Sequence, residues 1–292
     1  EQGRYGHVRD LRGALTFYRL SGKLADLIYS LNATNTDFYA YQFKPVLNFL
    51  DSPCRGLLIA DEVGLGKTIE AGLIWTELRA RVDARRLLVL CPAMLCEKWR
   101  TELSNRFGIP ADICNAQDVL DRLERVKSHP HEGFALVASL QGLRPARRWD
   151  DEVAPPLSAA ARLARHLSAN ELEDPLLDLV VIDEAHYLRN PDTQTAKLGQ
   201  LLRPVTDNLV LLSATPIQLR SADLFHLLNL LDGDTFPYEH SFNDILEANA
   251  PIVHLRDRLL AGPMSKAELM EGLRSASLER IFSDNAQLSH LL

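Results

Sequence analysis

Gly56-Leu57-Leu58-Ile59-Ala60-Asp61-Glu62-Val63-Gly64-Leu65-Gly66-Lys67-Thr68-Ile69-Glu70-Ala71-Gly72-Leu73-Ile74 reads as three things in succession. A short apolar run predicts a strand, two spaced glycines predict a tight turn, and Lys-Thr opens a helix. That order is the arrangement of a phosphate-binding loop. Glycines let backbone N–H groups at Gly64, Leu65 and Gly66 approach phosphate oxygens, and the helix N-terminus adds positive potential. In such a loop Lys67 reaches the β- and γ-phosphates and the Thr68 hydroxyl holds Mg²⁺. The general pattern has one more glycine five residues before Gly66, and this sequence has Asp61 there. The bland alternative is a chance glycine-rich turn.

Working outward, four more apolar runs follow: Leu87-Leu88-Val89-Leu90-Cys91, Phe134-Ala135-Leu136-Val137-Ala138, Leu179-Val180-Val181-Ile182 and Leu209-Val210-Leu211-Leu212. None alternates polar with apolar, as expected of strands covered on both faces. Helix-length segments separate them, which predicts βαβ units and an α/β fold with a mostly parallel sheet covered by helices on both faces. Ligands of such sheets bind beyond the carboxyl ends of the strands, so the polar residues after each run are the candidates for chemistry. Ahead of the sheet, Leu11, Leu15, Tyr18, Leu24, Leu27, Ile28 and Leu31 recur at helical spacing, and a second helix is expected over Tyr41 to Leu50. Residues 150–176, with an acidic opening, Pro155-Pro156 and an alanine-rich stretch, read as an insertion carrying one exposed helix. Residues 221–292 read as helices broken at Gly233, Pro237, Pro251 and Gly262-Pro263. The expected organisation is an N-terminal helical segment over 1–37, an α/β lobe over 38–235 and a helical extension over 236–292.

The fourth apolar run exits into Asp183-Glu184-Ala185-His186. An aspartate at the exit of a buried strand coordinates Mg²⁺, directly or through water, and the adjacent glutamate orients and deprotonates an attacking water. Alone, the string also fits a solvated acidic loop. The pairing with residues 61–68, expected on a neighbouring strand, points to catalysis by Lys67, Asp183 and Glu184. The fifth run exits into Ser213-Ala214-Thr215-Pro216-Ile217-Gln218.

Gly-Lys-Thr, Asp-Glu-Ala-His and Ser-Ala-Thr in this order resemble the hallmark motifs of superfamily 2 helicases and translocases. The strings Asp61-to-Ile74 and Ser213-to-Gln218 are similar to those of Swi/Snf-type ATPases, and Glu62-Val63 with Glu70-Ala71-Gly72 most resemble the bacterial RapA-like branch. The resemblance covers roughly residues 38–235. It implies a RecA-like lobe that binds ATP and Mg²⁺ and, with a second RecA-like lobe, couples ATP hydrolysis to translocation on double-stranded DNA without strand separation. Position by position it implies that Gln42 reads the adenine edge, against the alternative of a surface glutamine. It implies that Pro92, Ser139 and Arg144 contact the DNA backbone, and that Ser213, Thr215 and His186 couple the state of the γ-phosphate to DNA. For His186 a plain structural hydrogen bond is an equal alternative. Trp99 and Cys91 read as core. The second lobe and its arginine finger are expected outside this chain, so the chain alone should hydrolyse ATP poorly. RNA polymerase, or subunits of a repair or phage-defence system, are the partner classes the resemblance leaves open.

Charge limits where a polyanion could bind. The net charge of −7 argues against a general basic nucleic-acid-binding module, but residues 1–150 carry 21 basic against 18 acidic side chains and residues 151–292 carry 11 against 21. A polyanion is therefore expected on the first half or on a local patch. Two arginine runs offer one: Arg79, Arg81, Arg85 and Arg86, and Arg144, Arg147 and Arg148, each a solvated face or a phosphate contact. The four cysteines (Cys54, Cys91, Cys96, Cys114) have no zinc-ligand spacing and read as reduced thiols of a cytoplasmic protein. No apolar run reaches the roughly 18 residues of a membrane span. No initiator methionine is present, which fits a piece of a longer chain. Two rival functions stay open: a P-loop NTPase with no nucleic-acid role, and a nucleotide-gated module that docks partners.

Overall fold

A computed structural model describes residues 39–61, 64–151, 158–171, 174–214, 220–262 and 265–277. The expected N-terminal helix and Thr215 lie outside the described residues. In chain order, α1 (Phe43–Asp51) leads into β1 (Gly56–Ile59), then α2 (Lys67–Val82), β2 (Arg86–Cys91), α3 (Cys96–Phe107), β3 (Asp112–Cys114) and α4 (Ala116–Val126). Next come β4 (Phe134–Ser139), the one-turn α5 (Leu140–Leu143), α6 (Ala159–Ala169), β5 (Leu177–Ile182), α7 (Gln194–Leu202), β6 (Thr206–Leu212) and α8 (Ser221–Leu231).

All five apolar runs are strands of one parallel sheet of order β1-β6-β5-β2-β4-β3. Successive side chains point to opposite faces, and both faces are covered. Leu88, Leu90, Leu136, Val180, Ile182 and Leu209 pack against α4, α6, α7 and α8. Leu87, Val89, Val137, Val181, Val210 and Leu212 pack against α1, α2 and α3. The sixth strand, β3, was not expected. It is three residues long with Asp112 and Ile113 exposed, so it leaves no apolar run; its pairing with Leu136–Ala138 of β4 defines it.

Three expectations need correction. The strand carrying Asp183 is not the neighbour of the strand before the glycine loop, because β6 lies between β1 and β5. The helix of the 150–176 stretch is not an exposed one. Ala161, Leu163, Ala164 and Leu167 of α6 are fully buried against the core that includes Val119, Leu120 and Leu123 of α4. Its alanines misled because small side chains at a close helix contact look like a weakly apolar, solvated pattern. Finally, Pro251 does not end a helix. The chain divides into two compact units between Asp232 and Gly233, and in the second unit α9 (Glu239–Ala261) runs through Pro251. Buried Phe242, Ala248 and Leu255 anchor α9 on both sides of the proline, and Leu255 packs on Gly272 of α10 (Lys266–Ser277). That tertiary burial offsets the one backbone N–H that proline removes.

Candidate functional site

The strand register lines up the carboxyl ends of the sheet. Ile59 pairs with Leu212, Leu211 with Ile182, Ile182 with Leu90, and Cys91 with Ser139. The residues that follow, Asp61, Ser213, Asp183, Pro92 and Ser139, therefore emerge along one edge.

At the β1 end, Gly64 and Gly66 have φ of 94° and 98°, a left-handed conformation that L side chains rarely adopt. Gly66 is the N-cap of α2, so Lys67 and Thr68 stand in its first turn. A Cβ at Gly66 would lie 2.5 Å from Gln42 Nε2, so this glycine is required by packing as well as by φ. Gln42 itself is only 2% exposed. Its Nε2 donates to the Leu65 carbonyl at 3.2 Å and its Oε1 accepts from the Tyr39 N–H at 3.1 Å. The Tyr41 hydroxyl donates to the same Leu65 carbonyl at 3.1 Å. The residue expected to read a base is thus first a clamp on the loop. Its two bonds use one of the two amide N–H groups and one of the two carbonyl lone pairs. Lys67 Nζ donates to the Asp61 carbonyl at 2.8 Å. Behind the loop, Glu70 is fully buried, and burial followed by the nearby Asp61 charge pushes its carboxyl up to about 8, against the pull of Lys67.

At the β5 end, the Asp183 N–H extends the ladder to the Leu90 carbonyl at 2.8 Å. Its Oδ1 accepts from the Glu184 N–H at 2.9 Å, and its Oδ2 accepts from Trp99 Nε1 at 2.9 Å. Glu184 sits at φ 53°, an uncommon conformation for a residue with a side chain. Its Oε2 lies 3.1 Å from His186 Nδ1. Trp99 is core, as its sequence predicts, and its indole N–H also binds the aspartate. The available signal was chemical: a buried indole usually needs an acceptor, and the acceptor is 84 residues away in sequence.

Ser213, directly after β6 and between these two ends, is fully buried and donates its N–H to the Ile59 carbonyl at 3.0 Å. Pro92 opens a single 3₁₀ turn, Ala93–Leu95, whose Met94 is 86% exposed. Ser139 caps α5 by accepting from the Gly142 N–H at 3.3 Å. Arg144 lines a groove of about 680 Å³ with Arg147, Tyr187 and Gln194. The other arginine run faces away from this edge. Arg86 begins β2 at the opposite end of the sheet and pairs with Asp178, while Arg81 pairs with Glu77 and Arg85 with Asp83. Arg79 lines a separate cavity of about 580 Å³ at that far end. Cys91 is buried 3.6 Å from Cys96 Sγ, and burial pushes its thiol well above the ordinary range, which fits packing and not nucleophilic chemistry.

Among the described residues no group of three or more His, Cys, Asp or Glu side chains could enclose a metal ion. Among the described residues no helix is long and apolar enough to cross a membrane.

A parallel α/β sheet with a left-handed glycine loop opening a helix at one strand end, and an Asp-Glu pair at another, defines a RecA-like nucleotide-binding domain. The model of the SNF2-related domain matches residues 30–288, and the chain belongs to that family of helicase-like ATPase domains. It is 31% identical over 209 residues to the RNA polymerase-associated protein RapA of Photobacterium profundum, covering 70% of this chain and 20% of that protein. It is 36% identical over 174 residues to an uncharacterized ATP-dependent helicase, YqhH, of Bacillus subtilis, covering 60% of this chain and 26% of that protein. The chain thus spans about a fifth to a quarter of the length of these relatives. The SWI2/SNF2 ATPase core of Sulfolobus solfataricus, solved in complex with double-stranded DNA, shares the fold with a TM-score of 0.52 at 20% identity, over 72% of this chain and 39% of that one.

Proposed function

We propose that this chain is the ATP- and Mg²⁺-binding lobe of a DNA-dependent ATPase that moves along double-stranded DNA, converting ATP and water to ADP and phosphate. The observation that carries the reading is the shared edge: the Gly64–Thr68 loop at the end of β1, Asp183 and Glu184 at the end of β5, and buried Ser213 at the end of β6 between them.

In this reading the N–H groups of the loop and the first turn of α2 bind the β- and γ-phosphates, with Lys67 exchanging the Asp61 carbonyl for phosphate oxygen. Thr68 and Asp183 hold Mg²⁺, which when bound neutralises phosphate charge. Glu184 orients the attacking water and takes its proton, and His186, in contact with Glu184, holds that carboxylate in place. Gln42 braces the loop through Leu65 and offers its remaining N–H and lone pair to the adenine edge. Ser213, at the strand end between the loop and Asp183, and Thr215, by resemblance, transmit the occupancy of the phosphate site to the nucleic-acid face. Pro92, Ser139 and Arg144, on the adjoining strand ends, meet the DNA backbone, the groove beside Arg144 being the positively charged part of that edge. The names of the RapA relatives make RNA polymerase one partner to test, and a cytoplasmic site of action follows from the same reading.

The test is nucleotide binding and turnover in matched variants. Lys67→Ala should abolish hydrolysis and weaken ATP binding, since no other basic side chain belongs to the loop. Glu184→Gln should keep binding and lose turnover in the full-length protein. Undiminished hydrolysis in Glu184→Gln overturns the catalytic assignment, and failure of duplex DNA to stimulate the unsubstituted full-length protein overturns the DNA reading alone.

A further inference from the structure

The Trp99–Asp183 bond joins two parts of the molecule that the sequence treats separately. Trp99 lies in the first turns of α3, directly after the exposed turn Ala93–Leu95 that follows β2. Asp183 ends β5, the strand paired with β2. Trp99 is 2% exposed and Asp183 9%, so the 2.9 Å contact is made away from water. A hydrogen bond to a charged acceptor in such surroundings is among the stronger ones.

Burial alone does not explain the pairing. Trp75 on α2 is equally buried, at 2%, yet among the described residues its indole N–H has no hydrogen-bond partner. Of these two buried indoles in the same core cluster, that of Trp99 is the one spent on the carboxylate. That carboxylate is also tied at its other oxygen, by the Glu184 N–H. With one donor on each oxygen, rotation of the group about its Cβ–Cγ bond would break both bonds. The remaining lone pairs are thereby aimed in fixed directions.

We infer that Trp99 is a positioning residue for Asp183: its indole N–H fixes the carboxylate in the orientation that accepts Mg²⁺ with bound nucleotide. The inference rests on the ATP-site reading above.

The experiment measures ADP binding to the 292-residue chain, in EDTA and across a Mg²⁺ titration, for the unsubstituted chain, Trp99→Phe and Trp75→Phe. Trp99→Phe keeps an aromatic ring and removes the donor, together with some buried volume that Trp75→Phe removes equally. It should raise the Mg²⁺ concentration needed for half-maximal tightening of ADP binding by about tenfold, the usual scale for losing a bond to a charged group. ADP affinity in EDTA should stay within about twofold of the parent, and Trp75→Phe should leave both measurements unmoved. In the unsubstituted chain, ¹⁵N-labelled indole resonances give a readout that needs no substitution: the Trp99 N–H signal should shift when Mg²⁺ is added to the ADP complex. Unchanged Mg²⁺ dependence in Trp99→Phe overturns the inference, and so does an equal loss in EDTA and in Mg²⁺, which marks a purely structural effect. Should Trp99→Phe not fold, a Trp99 resonance indifferent to Mg²⁺ overturns it instead. If the unsubstituted chain shows no Mg²⁺-dependent ADP binding at all, the ATP-site reading falls and this inference with it.

Discussion

Glu70 holds a proton that a glutamate in water would release. It is fully buried one turn into α2, with the Asp61 carboxyl close by. Its carboxyl is raised from the ordinary 4.5 to about 8, by burial first and by Asp61 second. Between those values the folded chain keeps a proton that the unfolded chain has lost. The group's contribution to stability is therefore complete below about pH 4.5 and is lost as pH rises through about 8. Glu70→Gln cannot ionise, so its melting temperature relative to the parent should climb steadily from about pH 5 to about pH 9. A flat difference across that window means Glu70 is ionised in the folded chain. At Gln42 the structure sharpens a different expectation. Gln42→Ala removes the brace on Leu65 as well as any base contact, so binding of both ADP and GDP should weaken. Each hydrogen bond is worth about 1 kcal/mol, so ADP should lose roughly one such increment more than GDP. Equal losses would leave Gln42 as a loop brace only.

Elements test whether α6 and α2 are built as packed here. Leu163 and Leu167 of α6 are buried to within 1% in the cluster shared with α4 and the sheet. Truncating either to alanine removes that packing and should cost about 2–5 kcal/mol of unfolding free energy in a denaturant titration. A cost near zero would return α6 to the status of an exposed appendage. On the opposite face Gly72 of α2 lets the Phe107 ring of α3 approach so closely that a Cβ would stand 2.3 Å from it. Gly72→Ala must displace that ring, an overpacking cost of about 1–3 kcal/mol, although alanine is the better helix former. The sign of the measured change separates the two effects: stabilisation would mean that α2 and α3 do not meet at this point.

At the scale of the whole molecule, the proposed reading gives the described residues one face of a phosphate site and one stretch of nucleic-acid edge. Phosphoryl transfer depends on charge that meets the transition state, and an arginine finger is worth roughly 10³–10⁵ in rate. By family resemblance that arginine belongs to a second lobe. The 292-residue chain should therefore bind ATP with Mg²⁺, turn it over very slowly and respond little to duplex DNA. Its DNA affinity should also be weak, since a chain of net charge −7 can neutralise few phosphates. Steady-state ATPase of this chain beside the full-length protein, with and without duplex DNA, checks it. Robust DNA-stimulated turnover by the chain alone would refute the prediction.

Five of six strands, the glycine loop and the Asp-Glu pair were legible in the sequence. Each is a local signal: an unbroken apolar run marks a strand buried on both faces, and Gly-x-Gly-Lys-Thr marks a backbone that must turn left-handed before a helix. Five things were not legible, because each depends on a partner distant along the chain. The edge strand Asp112–Cys114 exists through its pairing with β4. The α6 helix is interior because α4 and the sheet receive its small side chains. The order β1-β6-β5 is fixed by which strand inserts between two others, which periodicity does not encode. Finally, Gln42 as a brace on Leu65 and Trp99 as a donor to Asp183 arise from approaches across 23 and 84 residues. Local chemistry thus determined the kind of site this chain builds, and tertiary packing decided which side chains hold it in register, since a hydrogen bond between distant residues exists only once the sheet has brought its strand ends together.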